Sequence, residues 1–351
     1  MALTASCNPI TTTESRGAPS GFRSCLTPAG LFDNVPTKPD QSGPADKESR
    51  PLKFATFNAA GRPLLGIVDE ARQLIHEAAP LLGLDSPDLS LVDVARRWPT
   101  GPPALDDDAD APSWPLAEVS LLAPIPHPER NIFCIGTNYR EHVAEFSASG
   151  FDASGERGAD PPARPVVFTK ATTTVIGPHD AIPAHGSLTQ ALDYEAELGL
   201  MIGVPGRRIS RSEALDHIFG YTIINDVTAR DLQRAHKQWF LGKSLDGFCP
   251  MGPIVATADE LDPGKLELLC EVNGELRQQA NTAEMIFDIP AIIETLSAGI
   301  TLQTGDIIAT GTPAGVGAGF SPPRFLRPGD VVSISITGLG KLTNAVRADY
   351  E

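Results

Sequence analysis

Nothing in this chain of 351 residues approaches the roughly 18 consecutive apolar residues of a membrane-spanning helix. Basic residues are also scarce: 28 Lys and Arg against 44 Asp and Glu leave a formal charge of −16 and a pI near 4.8. That deficit argues against nucleic acid, whose phosphates require a basic footprint, and gives no polybasic signal for a membrane surface. The five cysteines (Cys7, Cys25, Cys134, Cys249 and Cys270) are odd in number, widely spaced and without a Cys-x-x-Cys pair. They fit a reducing compartment and give no disulfide framework or thiolate metal site. A cytoplasmic location is expected, with a mitochondrial one left open. Residues 1–50 lack periodicity and the apolar core of a secretory signal, and Glu14, Asp33 and Asp40 beside Arg16 and Arg23 argue against a transit peptide. Their Ser, Thr, Pro and Gly content predicts disorder.

What is present is a chain of 41% hydrophobic residues, enough for one large domain or two of unequal size. From Pro51 the pattern turns globular. KFATFNAAGRPLLGIVD predicts two strands around a turn at Asn58 to Arg62, followed by helices near Glu70–Leu82 and Leu89–Trp98. PTGPPALDDDADAPSWP, residues 99–115, reads as a solvated linker that closes a small α/β N-terminal domain over 51–115. Its triplet Asp106 to Asp108 lacks the ligand spacing of a calcium loop. Residues 116–351 form the expected main domain. There Asn273-Gly274 marks a hairpin, VVSISITG alternates as a strand, and the turns at 304–306 and 328–330 each launch a β-branched strand. Helices are expected at 211–218, opened by Ser210-x-x-Glu213, and at about 290–298 after Asp288 and Pro290. Strands do not alternate regularly with helices, so the expected fold class is α+β, a mixed and mostly antiparallel β-roll.

One short segment concentrates charge. In LDYEAELGLMIG, residues 192–203, the even positions Tyr194, Ala196, Leu198, Leu200 and Ile202 form an apolar strand face. The odd positions put Asp193, Glu195 and Glu197 together on the other side, where like charges repel unless solvent, a proton or a cation intervenes. The next strand, GYTIINDVTARD, supplies Asp226 at its end. The oxygen set Glu195, Glu197 and Asp226 suits Mg²⁺, Mn²⁺ or Ca²⁺ better than zinc. The competing reading is a polar sheet face, with Asp226 capping the next helix.

Three further segments carry polar groups. In NIFCIGTNYREHVAEF a strand enters a short helix with Asn138 and Glu141 as a capping box. There His142 and Glu145 stand three residues apart and face the same way. A carboxylate beside an imidazole fixes its tautomer and raises its basicity, as a general base requires, although many such pairs are surface pairs. The long Gly- and Ser-rich stretch that follows would let this helix act as a lid. KQWFLGKSLDGFCP sets Lys243 in a polar turn, and the Gly-rich turn of GDIIATGTPAGVG has no Gly-Lys-Ser/Thr, so it offers amides and the Thr312 hydroxyl to a carboxylate rather than cradling a phosphate.

In their order and spacing, GTNYREHVAEF, DYEAELG, NDVTARDLQ, GKSLDGFCP and GTPAGVG resemble the fumarylacetoacetate hydrolase family, in particular its branch of domain-containing protein 2 and acylpyruvases. The resemblance runs from about Leu121 to Val346 and more loosely back to Lys53. It implies a β-roll catalytic domain, a homodimer, and Mg²⁺ or Mn²⁺ on Glu195, Glu197 and Asp226. It further implies a water-activating dyad of His142 and Glu145, an oxyanion-stabilising Lys243, and substrate contacts from Gln233 and Thr312. Thr137 stands where many acylpyruvase-like members carry Arg, which removes a cation that would bind a second carboxylate. The implied activity is a hydrolase that cleaves a C–C bond of a small 2,4-dioxo acid, of acylpyruvate or fumarylpyruvate type, through a metal-stabilised enolate. Such chemistry belongs to 2-oxo acid metabolism and aromatic catabolism. The alternatives are an oxaloacetate tautomerase or decarboxylase, an isomerase or hydratase of an unsaturated 2-oxo diacid, and, more remotely, a non-catalytic binder of small acids.

Overall fold

Two apolar segments separated by a turn pair when their registers bury the same face, and the first strands do so. Lys53–Ala59 and Arg62–Asp69 run antiparallel, with Phe54 opposite Ile67 and Phe57 opposite Leu64. The computed structural model describes residues 51–348 except residues 60, 104, 107 and 151–160. The disorder expected of residues 1–50, and most of the Gly- and Ser-rich stretch after the His142 helix, lie outside the described residues.

Twelve strands join in one large sheet. Its main path runs through Ser113–Pro115, Leu74–Glu77, Arg62–Asp69, Lys53–Ala59, Cys249–Thr257, Ile218–Asn225, Ala196–Ile202, Ile307–Ala309, Ile132–Gly136 and Val166–Lys170. Neighbours along that path are antiparallel except Ile307–Ala309 beside Ile132–Gly136, which is parallel. A five-stranded sheet holds the Asn273-Gly274 hairpin and the VVSISI strand, Val331–Ile336, which pairs with Glu267–Val272 and Gly340–Arg347. The fold is thus a mixed, mostly antiparallel α+β architecture with few helices. The N-terminal strands extend the large sheet, and all described residues belong to one contact unit. Lys53 and Phe54 pair with Ala256 and Val255, so the strands expected to belong to a small domain over 51–115 share the large sheet with residues 249–257.

The even-position face of residues 192–202 is real. Tyr194, Ala196, Leu198, Leu200 and Ile202 join one apolar cluster with Leu268, Ile334 and Ile336 of the smaller sheet. Burying each large aliphatic side chain there contributes about 1.5–3 kcal/mol. The strand is not continuous, however. Leu192–Asp193 and Ala196–Ile202 are separate strands, and at the break the Glu195 amide donates to Asn225 Oδ1 while its carbonyl accepts from the Asp226 amide.

Three expected local structures differ. Residues 70–73 form a turn, held by the Arg72 amide on Asp69 Oδ1, and Leu74–Glu77 folds back as a strand on Arg62–Asp69. Strand pairing overrides helix propensity there, and Pro80 limits the remaining helix to Ala78–Leu81. The helix expected at 211–218 is a 3₁₀ turn over Ala214–His217, because the chain must enter the Ile218–Asn225 strand at once; Ser210 does bond Glu213. The helix Arg140–Ser149 has no capping box. Asn138 instead donates from Nδ2 to the Phe287 and Thr310 carbonyls and accepts the Phe287 amide at Oδ1. The expected helix ends elsewhere hold: Ser90 and Asp93 box the helix Leu91–Arg97, and Asp288 caps Ile289–Ser297.

Asn138 is fully buried and joins three chain segments, so Asn138→Ala leaves three backbone groups without partners. The expected cost is about 2–4 kcal/mol of folding stability, read as a lower urea midpoint with an unchanged slope. A midpoint equal to that of the parent would remove Asn138 from this role.

Candidate metal centre and active site

The break at residues 194–195 and the end of the Ile218–Asn225 strand lie side by side, since Ala196 pairs with Asn225 and Glu197 with Ile224. Glu195 and Glu197 project from the face opposite the apolar cluster, and Asp226 projects from the neighbouring strand end. Their carboxylates offer oxygens that all lie within 4.8 Å of one another, and all three residues are buried.

Such crowding is unfavourable unless counter-charges are built in. The Lys243 ammonium bridges Glu195 Oε2 and Asp226 Oδ2, both at 2.7 Å. Lys170 donates to Asp226 Oδ1 at 2.6 Å and to the Val227 carbonyl. Arg230 reaches Glu195 Oε1 at 2.7 Å and Asp193 Oδ2 at 2.8 Å. Asp193, the third acid of the strand, does not join the trio; it is turned toward Arg230 and the amides of Gly317 and Ala318.

These partners set the protonation states. Burial raises the Glu195 carboxyl, but Lys243, Arg230 and His142 more than offset it and lower it to about 2. Glu197 goes the other way: burial, then Asp226 and Glu195, hold its proton well above the usual carboxylate range. Burial works against the Lys243 ammonium, yet Asp226 and Glu195 keep it charged. With Glu197 protonated, three carboxylates face three cations, and the cluster is neutral.

The donor set fits a divalent cation. It is all oxygen, and its Glu197 side is short of partners: that carboxylate accepts one hydrogen bond, from the Gly311 amide at 2.7 Å. The buried Tyr139 hydroxyl has no hydrogen-bond partner among the described residues; burial and, after it, the Glu197 carboxylate hold its proton in place. A hard dication displacing the Glu197 proton would leave four carboxylates against three cations and the ion, a net charge of +1 suited to an anionic ligand.

Of the remaining expected residues, His142, Gln233, Lys243 and Thr312 line one small cavity with Glu195 and Glu197, together with Thr137, Phe146, Phe168, Arg230 and Trp239. His142, buried on the helix Arg140–Ser149, places Nδ1 3.2 Å from Glu145 Oε2, and Glu145 Oε1 accepts the Gly315 amide. Glu145 thereby holds Nδ1, leaving Nε2 as the ring's proton acceptor. Gln233 accepts from Arg230 at 3.2 Å. Lys243 is not in a polar turn; it ends the helix Phe240–Lys243 and is buried. Thr312 donates its hydroxyl to the Ala196 carbonyl and accepts from Gln278, so that hydroxyl is already committed to the protein. The Gly-rich turn likewise spends its amides on the protein's own carboxylates. Gly311, at φ +104°, turns its amide onto Glu197, and Gly315 and Gly317 serve Glu145 and Asp193.

Sequence reasoning missed Lys170, Arg230 and the inward partners of Asp193. The available signal was balance: acids on a buried strand face need cations, and Lys170 ends the apolar run VVFTK while Arg230 follows Asp226 by four residues.

Residues 131–347 match the model of the fumarylacetoacetate (FAA) hydrolase C-terminal domain. The chain belongs to the fumarylacetoacetate hydrolase family. It is 45% identical over 309 residues to oxaloacetate tautomerase YisK of Bacillus subtilis, covering 84% of this chain and all of that protein. Among solved structures it resembles a fumarylacetoacetate hydrolase from psychrophilic Exiguobacterium antarcticum, at 43% identity and TM-score 0.73, over 85% of this chain and 99% of that one. A 2-hydroxyhepta-2,4-diene-1,7-dioate isomerase from Mycobacterium marinum aligns at 36% identity and TM-score 0.65, over 86% of this chain and all of that one. The family therefore includes relatives named for hydrolysis, tautomerisation and isomerisation.

Because burial, Asp226 and Glu195 raise the Glu197 carboxyl, Mn²⁺ should compete with a proton there. Apparent Mn²⁺ affinity should rise about tenfold per pH unit below the raised Glu197 value and level off above it, measured by calorimetry in buffers of different ionisation heat. Glu197→Ala should abolish binding. An affinity independent of pH, with no proton released, would contradict this protonation state.

Proposed function

We propose that this family member interconverts the keto and enol forms of oxaloacetate, or of a close short-chain 2-oxo diacid. The observation that carries this reading is an imidazole, fixed by Glu145, that lines the same small cavity as Glu195 and Glu197. The match to the whole length of an oxaloacetate tautomerase supports it.

Glu195, Glu197 and Asp226 would hold a divalent ion, which when bound supplies Lewis-acid polarisation of the acid's carboxylate and 2-oxo oxygens. The chain's own groups do the rest. His142 Nε2 takes a proton from the carbon beside the oxo group; the C–H electron pair becomes the new C=C bond, and the carbonyl pair moves onto oxygen. Glu145 keeps the ring oriented while it is positively charged. Lys243, still an ammonium, stands by the oxygen that gains charge, and return of the proton to that oxygen completes the enol. The net positive charge of the loaded cluster draws the acid in, and Phe146, Phe168 and Trp239 add apolar surface to the cavity wall.

A second reading keeps the same residues and changes the proton acceptor's role. His142 could deprotonate a water that attacks a distal carbonyl, giving C–C hydrolysis of a 2,4-dioxo acid. The Glu145-held imidazole serves both readings.

An ultraviolet assay with Mg²⁺ or EDTA separates them. Tautomerisation gives rapid decay of oxaloacetate enol absorbance without carbon loss; hydrolysis gives pyruvate and a second acid from acylpyruvates. His142→Ala should lower turnover by about 10²–10⁴-fold and leave Mn²⁺ binding intact. Undiminished turnover in that variant would remove the dyad from the reaction.

A further inference from the structure

The glycines of the turn after Ile307–Ala309 are packed against different things. A methyl group built on Gly311 would meet the Asn138 side chain and the Ile135 carbonyl, one on Gly315 the Arg277 carbonyl, and one on Gly317 the Arg324 carbonyl. Backbone stands in the way at all three, so a side chain there would disturb the fold itself. Gly319 differs. The three nearest atoms that a methyl group there would meet all belong to the Glu145 side chain, and it would overlap the carboxylate. Gly319 is exposed, and its backbone lies outside the left-handed region, so nothing else about the position demands glycine.

The turn that offers this seat is itself held in place. The Gly319 amide donates to the Val316 carbonyl, and the Arg324 amide to the Gly317 carbonyl. The next residue, Phe320, has the guanidinium carbons of Arg277 and Arg324 over its ring at 5.1 and 5.0 Å from the centroid, and both arginines pair with Glu275. From the helix Arg140–Ser149, Glu145 Oε1 accepts the Gly315 amide at 2.9 Å while Oε2 stands 3.2 Å from His142 Nδ1. One carboxylate thus joins the turn to the imidazole. It fits between them because residue 319 has no side chain.

We propose that Gly319 is a positioning residue: its bare backbone seats Glu145, and through Glu145 it orients His142. The proposal rests on the reading of His142 as the group that takes the proton. The Glu145 side chain is 15% exposed, so a methyl group at residue 319 drives the carboxylate toward solvent rather than forcing backbone apart. The dyad is then broken while the fold survives. Glu145 is not one of the three carboxylates that would hold the ion, so the ion's site is left as it was.

The test compares the full-length parent with Gly319→Ala, Glu145→Ala, the double variant, and Gly299→Ala, whose added methyl group meets nothing. In crystals of Gly319→Ala the Glu145 carboxylate should stand beyond hydrogen-bond reach of His142 Nδ1, more than about 3.5 Å away. Turnover is followed on oxaloacetate, or on an acylpyruvate should the parent prefer it. Gly319→Ala should lose roughly tenfold to a hundredfold in kcat with KM and Mn²⁺ affinity unchanged, and Gly299→Ala should match the parent. In the Glu145→Ala background the same alanine should cost nothing further, since the atoms it strikes are gone. Should Gly319→Ala fold poorly, the double variant carries the test: it must fold and turn over like Glu145→Ala, and its failure overturns the proposal. So would a Glu145–His142 contact retained in Gly319→Ala, an unchanged kcat with the carboxylate displaced, or an equal loss in both backgrounds. A parent that turns over neither substrate ends the reading of the site, whereas the crystallographic distance still decides the seat.

Discussion

Everything at the centre of this molecule follows from placing four carboxylates, Asp193, Glu195, Glu197 and Asp226, in its interior. Taking one such charge out of water costs several kcal/mol unless it is paired and hydrogen-bonded. The chain meets that demand with three buried cations, with backbone amides from the turn after Ile307–Ala309, and with a proton retained on Glu197. The result is a neutral cluster that changes charge when a dication replaces a proton. Lys243 contributes to both sides of this balance, since the ammonium that compensates Glu195 and Asp226 is, in the proposed reaction, also the cation beside the substrate's oxygen.

The fold serves this cluster by bringing strand ends together. Ala196–Ile202 lies centrally in the large sheet, between Ile218–Asn225 and Ile307–Ala309, so its break at Glu195 is flanked by the Asp226 turn on one side and the Gly-rich turn on the other. The parallel pair Ile132–Gly136 and Ile307–Ala309 then delivers Thr137 and the His142 helix to the same place. Asn138 ties that junction to the Thr310 and Phe287 carbonyls, which explains why a residue suited to capping a helix spends its side chain elsewhere.

Much of this was legible in the residues. Alternation in residues 192–202 located both the buried apolar face and the carboxylate face, and the spacing of His142 and Glu145 gave a dyad that does form. Alternation alone could not show that Asp193 leaves the trio, because the break at residue 194 depends on long-range bonds to Asn225 and Asp226. Lys170 and Arg230 were illegible for the same reason: only the fold shows which cations meet which acids. The turn at residues 70–73 was misread as helix because its sequence favours helix locally, whereas pairing of Val68 with Ile75 decides the outcome. Thr312 reads as a free hydroxyl in sequence and is found bonded to Ala196 and Gln278.

The central claim is that Glu195, Glu197 and Asp226 share one divalent ion. Anomalous diffraction from crystals soaked in Mn²⁺ at neutral pH tests it directly. The account requires one strong peak within about 2.0–2.4 Å of an oxygen from each of the three carboxylates, with Lys243 Nζ displaced from at least one of them. A peak elsewhere, or none while the Lys243 ammonium still bridges Glu195 and Asp226, would contradict it.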